Sequence, residues 1–280
     1  MKGAKFATLT AVTAFLTLNK MTENASATDK IRAVLVLAAT AGTIAFNSIT
    51  AAGYVNGVTP AEISDKYQTV ITPAGYAFSI WSLIYLGLIA FSIYQIFPGN
   101  LARLRPLRSP YILSCALNCA WIFFWHSDQI AISFAIIASM LGTLVFIVAK
   151  ASKLDLLKDS ILVKAPFGLY LGWLSAATLV NFAILLVYLR VDGASSSAVL
   201  GAILILVAAG FAIFIRSSLK NYLVPIAVAW ALTAIAVKQS GNTLIVTAAA
   251  AGVIACLIAA LSFVVKLPSS ADRVRNASSE

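Results

Sequence analysis

The most constraining feature of the chain is a succession of long apolar runs, at about 32–52, 75–96, 109–127, 130–149, 163–189, 197–215, 221–237 and 244–265. Each is about 17 to 27 residues long, enough to cross a hydrocarbon core of roughly 30 Å as a helix. The apolar residues come as blocks and not at alternating positions, and 61% of the 280 residues are hydrophobic against 11% charged. Lipid offers no water to unpaired backbone groups, so helices that satisfy their own backbone are the structure these runs permit. The pattern predicts an all-α integral membrane protein, a polytopic bundle of about eight transmembrane helices. Short punctuated connections such as FPGNLARLRPLRSP and DGASSS would join them.

A net charge of +10 would ordinarily suggest nucleic acid, but its distribution excludes that partner. With eight crossings, Lys66, Arg190 and Lys238 fall on one side of the membrane, and the other seventeen of the 20 Lys and Arg fall on the opposite side. This asymmetry is that of the cytoplasmic face, so both termini are predicted to be cytoplasmic and the basic residues to meet the bilayer. The N-terminal segment MKGAKFATLTAVTAFLTLNK permits three readings: a signal peptide cleaved near Ala25-Ser26-Ala27, a further interfacial or spanning helix, or a true start at Met21.

Little in the chain looks catalytic. Cys115, Cys119 and Cys256 all lie within apolar runs, and Cys115/Cys119, four residues apart, read as small packing residues and not as metal ligands. His126 is the single histidine. Beside Trp125 at the end of the third run, it reads as an interfacial residue, with an axial haem ligand as the sharper alternative. No Asp, Glu, Lys or Arg stands near the middle of any run, which argues against an ion-coupled pump. Phosphate loops, HExxH and paired carboxylates are missing, so a non-enzymatic protein with no required cofactor is expected.

What remains is uncharged, polar and aromatic: Asn47, Asn118 and Asn181 within runs, with five Trp and nine Tyr. In the second run, ITPAGYAFSIWSLIYLG, Thr72 and Pro73 suggest a helix start, and Phe78, Trp81 and Tyr85 share a face. At about 1.5 Å per residue, Trp81 and Trp121 lie roughly 9 Å below the outer surface, Asn181 roughly 12 Å and Asn118 roughly 14 Å. Trp173 follows two turns further in on the face of Asn181. Three helices thus bring indoles and amides to one level of the outer half, as a pocket with greasy walls and a few fixed polar groups requires. Tyr76, Trp125 and Tyr188 read as interfacial anchors. The longest outer connection, residues 53–72, contains Thr59-Pro60-Ala61-Glu62, a capping box that predicts a short helix over about 60–68, either a lid on that pocket or a plain linker.

Three stretches within about 30–190 resemble the TspO/MBR family, the tryptophan-rich sensory proteins related to the translocator protein. They are Trp81-Ser-Leu-Ile-Tyr85, Ala116-Leu-Asn118-Cys-Ala-Trp121, and Tyr170-Leu-Gly-Trp173 with Thr178 and Asn181 following. The resemblance implies a five-helix core whose pocket, covered by the first loop, takes a hydrophobic planar ligand such as a porphyrin or haem. It implies Trp81, Tyr85, Asn118, Trp121, Trp173 and Asn181 as ligand-binding residues. Ser79-Ile80 stand where the family carries Gly-Pro. No Trp precedes position 81, so porphyrin photochemistry by loop tryptophans is not expected. The last three runs have no counterpart in a five-helix bundle and read as a C-terminal extension, residues 191–266, before a tail at 267–280. The resemblance implies a membrane protein binding a tetrapyrrole-like molecule, with a sensory or ligand-trafficking role. A transporter or facilitator of a small uncharged solute is the alternative, and a homodimer is left open.

Overall fold

The computed structural model describes residues 26–262. The N-terminal segment with its three readings, and Lys266 with the tail that carries Arg273 and Arg275, lie outside the described residues. Eight long helices occupy the eight predicted runs: α1 (Ala27–Ala51), α2 (Ile80–Tyr94), α3 (Arg105–His126), α4 (Ile130–Ala151), α5 (Ala165–Tyr188), α6 (Ala198–Leu219), α7 (Leu223–Lys238) and α8 (Thr243–Leu261). A 3₁₀ segment, Gly75–Ser79, leads into α2, and a short helix, Pro60–Lys66, lies in the first long connection.

Six of the helical segments are long and apolar enough to cross a membrane. The exceptions are α3 and α7. The former opens on Arg105, Pro106 and Arg108, and the latter has only 16 residues, about 24 Å of helix. Both nonetheless pack inside the bundle, α3 against α1 and α4, and α7 against α5 and α8.

Helix ends follow their local chemistry. Ser26 caps α1, its hydroxyl accepting from Asp29 N–H while the Asp29 carboxylate accepts from Ser26 N–H. The predicted start of the second run is different. Thr72 does not cap a helix: its hydroxyl accepts from Thr69 N–H at 2.8 Å inside a tight turn, and regular structure begins at Gly75 after an Ala74 that makes no side-chain cap. Pro73 lacks the N–H, but the turn at 69–72 had already claimed the threonine.

Arg108 is fully buried at the basic end of α3. It donates to Gln95 Oε1 at 2.7 Å and to the Leu101 carbonyl at 2.6 Å, and it faces Asp29 at 3.6 Å. Nearby, the buried Asp159 carboxylate takes Arg103 and the Tyr94 hydroxyl. These charges are paired and hydrogen-bonded, as burial demands. They fasten the α2–α3 connection to α1 and to the approach of α5.

α5 is the axis of the molecule. It touches α2 and α4 on one side and α6 and α7 on the other, and it is buried around nearly its whole circumference. Close approach to α7 depends on Gly168 and Gly172, four residues apart. A Cβ on Gly168 would lie 2.1 Å from Asn221 Oδ1, and one on Gly172 would lie 2.4 Å from the Val224 carbonyl oxygen. This is the small-xxx-small device of membrane helix packing, in which bare backbone lets two helices approach closely. It seats the three C-terminal helices against the core.

Candidate ligand-binding chamber

The rings converge. Trp81 on α2 lies 6.4 Å from Trp121 on α3, is edge-on to Tyr170 of α5 at 5.5 Å, and stacks on Tyr85 at 5.4 Å. Trp121 stacks in turn on Trp125 at 6.1 Å, and Phe78 meets Trp173 edge-on at 5.9 Å. These separations are those of favourable aromatic pairs, worth about 1 kcal/mol each beyond burial. Phe78, Trp81, Trp121, Trp125 and Trp173 supply the rings that line a chamber; Ala176 and Val180 of α5 with Ala231 and Ile235 of α7 supply its aliphatic lining, and Asn181 of α5 a polar group. Its volume is about 30 Å³, so in this state the rings nearly close on one another.

Trp81 and Phe78 also face a second, roomier space of about 310 Å³, toward α1. Asn47, Ser48, Ser82, Tyr85 and Ile122 line it beneath the Pro60–Lys66 helix. The two spaces share the Trp81 and Phe78 rings as a partition.

The predicted site residues divide accordingly. Trp81, Trp121, Trp173 and Asn181 meet at the closed chamber, and Tyr85 faces the open one. Asn118 lines neither. Its Oδ1 accepts from Asn47 Nδ2 at 2.7 Å and its Nδ2 donates to the Tyr170 hydroxyl at 3.1 Å, which donates onward to Met140 Sδ at 3.1 Å. An amide from each of α1 and α3, a phenol from α5 and a thioether from α4 thus satisfy one another. Asn118 acts as glue between four helices, because an amide in an apolar interior takes the nearest polar partner. Asn181 is partly committed as well: its Oδ1 accepts from Trp121 Nε1 at 3.3 Å and its Nδ2 donates to the Ala177 carbonyl at 2.9 Å.

Two expectations need correcting. Trp125 is not an interfacial anchor but a chamber wall, 3% exposed, its Nε1 donating to the Pro60 carbonyl at 3.3 Å. Its spacing of four from Trp121 was the signal that placed it there. His126 is also buried, its Nδ1 bonded to the Ile122 carbonyl at 2.8 Å, and it is not among the residues that line either space. Tyr76 and Tyr188 are about half exposed.

The capping box forms as predicted: Thr59 Oγ1 accepts from Glu62 N–H, and the Glu62 carboxylate accepts from Thr59 N–H. The resulting helix, Pro60–Lys66, lies across the mouth. Lys66 and the Tyr67 hydroxyl both reach Asp128 in the α3–α4 turn, where a left-handed backbone (φ 60°) is tolerated by the short acidic side chain. Asn56 donates to the His126 carbonyl at 2.8 Å. On the opposite flank α7 holds the same segment. Lys238 pairs with Asp65 at 3.1 Å, Gln239 donates to the Thr69 and Thr72 carbonyls, the Ala234 carbonyl accepts from Ala74 N–H at 3.0 Å, and Trp230 Nε1 donates to the Ala77 carbonyl at 3.0 Å.

Apolar helices around an uncharged, ring-lined chamber, with a clasped loop helix above it, define a multi-pass membrane protein built around an internal hydrophobic cavity. The family model described as "TSPO-like protein" matches residues 33–263. The chain belongs to the TSPO-like protein family, in agreement with the resemblance carried by the Trp81, Asn118–Trp121 and Tyr170–Trp173 stretches. The match continues through α6, α7 and α8. No curated protein and no solved structure matches the chain.

Proposed function

We propose that the protein binds a hydrophobic, planar small molecule, of the tetrapyrrole class, among the rings and aliphatic side chains that line the chamber, in a sensory or ligand-trafficking role without catalysis. The observation that carries this reading is the convergence of four indoles from α2, α3 and α5 on one apolar space beneath a helical lid. Affinity would come from apolar burial, at about 25 cal/mol per Å², and from stacking on Trp81 and Trp121. The resting chamber is far smaller than the 300–1,000 Å³ or so that ligand sites usually offer. Binding therefore requires the Trp81 and Phe78 partition to swing, merging the closed space with the roomier one toward α1.

The test is a titration of intrinsic tryptophan fluorescence with protoporphyrin IX dimethyl ester, a neutral porphyrin. Trp121→Ala and Trp173→Ala are expected to weaken quenching at least tenfold, and unchanged titrations in both would overturn the reading. An alternative, facilitated passage of a small uncharged solute, draws on a second feature. An open groove runs along the α1–α2 seam, lined by Thr40, Ala41, Ile44 and Ser92. Saturable uptake into liposomes that Asn181→Leu abolishes would favour passage; binding without flux favours a receptor.

A further inference from the structure

The loop helix turns one face inward. Pro60 and Ser64, four residues apart, face the cavities, while Asp65 and Lys66 point outward to Lys238 and Asp128. Ser64 lines the closed chamber, is 3% exposed, and its Oγ has no hydrogen-bond partner among the described residues. A buried hydroxyl that close to an apolar space is costly unless something accepts or donates there. Helical Ser commonly bonds the carbonyl four residues back; Ser64 does not, and Pro60 O instead accepts from Trp125 Nε1.

The rest of the lining narrows what can meet that hydroxyl. No residue lining the chamber is charged. The two cations at the rim, Lys66 and Lys238, are each engaged by an aspartate. An ionised carboxylate among these rings would find neither water nor a counter-charge, which strongly disfavours its burial. Asn181 spends one amide proton on the Ala177 carbonyl of its own helix and one lone pair on the Trp121 indole, which leaves one N–H and one lone pair at the edge of the chamber.

We infer that Ser64 is the specificity-determining contact of the chamber, donating its hydroxyl proton to an uncharged acceptor on the guest. The preferred guest is thus flat, apolar and neutral, with an ester, ketone or amide oxygen directed at the lid and no ionised carboxylate inside. This inference rests on the binding reading above and adds the polarity of the guest to it.

Three porphyrins of similar shape serve as probes of the full chain in detergent, read by tryptophan quenching: protoporphyrin IX dimethyl ester, the free diacid, and etioporphyrin, which carries no oxygen. The wild-type protein should prefer the diester to the diacid at neutral pH by at least about tenfold, as the cost of an unpaired buried charge requires. Ser64→Ala should weaken the diester by about five- to tenfold, the scale of one buried hydrogen bond, and leave etioporphyrin unchanged. Ser64→Thr, which keeps the hydroxyl, should restore the diester. Equal affinity for diester and diacid overturns the inference, as does a Ser64→Ala loss shared by etioporphyrin or no loss at all. If Trp121→Ala abolishes binding while Ser64→Ala is silent, only the role of Ser64 falls. If none of the three quenches the wild type, the binding reading falls and takes this inference with it.

Discussion

Trp121 and Asn181 join at the lining of the chamber, the indole N–H of one donating to the amide oxygen of the other at 3.3 Å. α3 and α5 are therefore latched by a polar contact in an apolar setting. Asn181→Leu should leave the indole N–H unpaired and cost about 1–3 kcal/mol, read as a lower midpoint of thermal unfolding in detergent. Asn181→Asp is expected to be worse, because it buries a charge with no partner on the lining.

The seat of α7 on α5 is the most sharply checkable part of the fold. Gly172→Ala would drive its Cβ into the Val224 backbone, so it should destabilise the protein by about 1–3 kcal/mol or more. Gly142→Ala, on a helix surface where nothing lies within 4 Å of the added carbon, should be neutral or slightly stabilising. A thermal-shift comparison of the two separates helix contact from a general intolerance of glycine replacement.

Arg108 is held by two side-chain partners and a ring of carbonyls. Arg108→Ala should cost about 3–5 kcal/mol by leaving Gln95, several carbonyls and Asp29 with lost partners. Arg108→Lys should recover little of it, since one ammonium cannot reproduce the guanidinium fork. Yield of folded protein after detergent extraction is the measurement.

The lid clasp predicts a pH window. Burial tends to raise the Asp128 carboxyl, but Lys66 and the Tyr67 hydroxyl outweigh it and hold the group below its ordinary value. Asp128 in turn raises the Lys66 ammonium. A lowered acid stabilises the closed lid above the ordinary carboxylate range and loses that contribution as pH falls through the depressed value. A raised amine contributes below the ordinary lysine range and loses it as pH climbs through the elevated one. The clasp should accordingly be flat from about pH 5 to 9. Both groups are about half exposed, so Asp128→Asn should weaken closure by no more than about 1 kcal/mol, and less in high salt. Amide hydrogen exchange over residues 60–67 reports it; protection that is unchanged from pH 7 to pH 3 would show that the clasp contributes nothing.

Much of this was legible in the chain. Apolar block length placed all eight helices, and depth along alternating helices brought Trp81, Trp121, Trp173 and Asn181 together. Both inferences rest on periodic or additive geometry. Asn118 misled because depth says how far in an amide sits but not which neighbour claims it; Asn47 and Tyr170 did. Trp125 was lost to the general habit of tryptophan at interfaces, although its four-residue offset from Trp121 put it on the chamber face. Thr72 failed as a cap because a turn with Thr69 competes for the same hydroxyl. The contribution of α7 was spelled out in Gly168-Leu-Tyr-Leu-Gly172, yet such a pair announces close packing without naming the partner helix.

Because Gly168 and Gly172 are bare where α7 presses on α5, the chain cannot be shortened to its first five helices without consequence. A fragment ending near Arg190 would turn toward lipid a strip of exposed peptide backbone, open one flank of the cavity where Ala231 and Ile235 had stood, and release the Thr69 and Ala77 carbonyls that follow the lid helix from Gln239 and Trp230. Such a fragment would be a leaky vessel with a loose stopper.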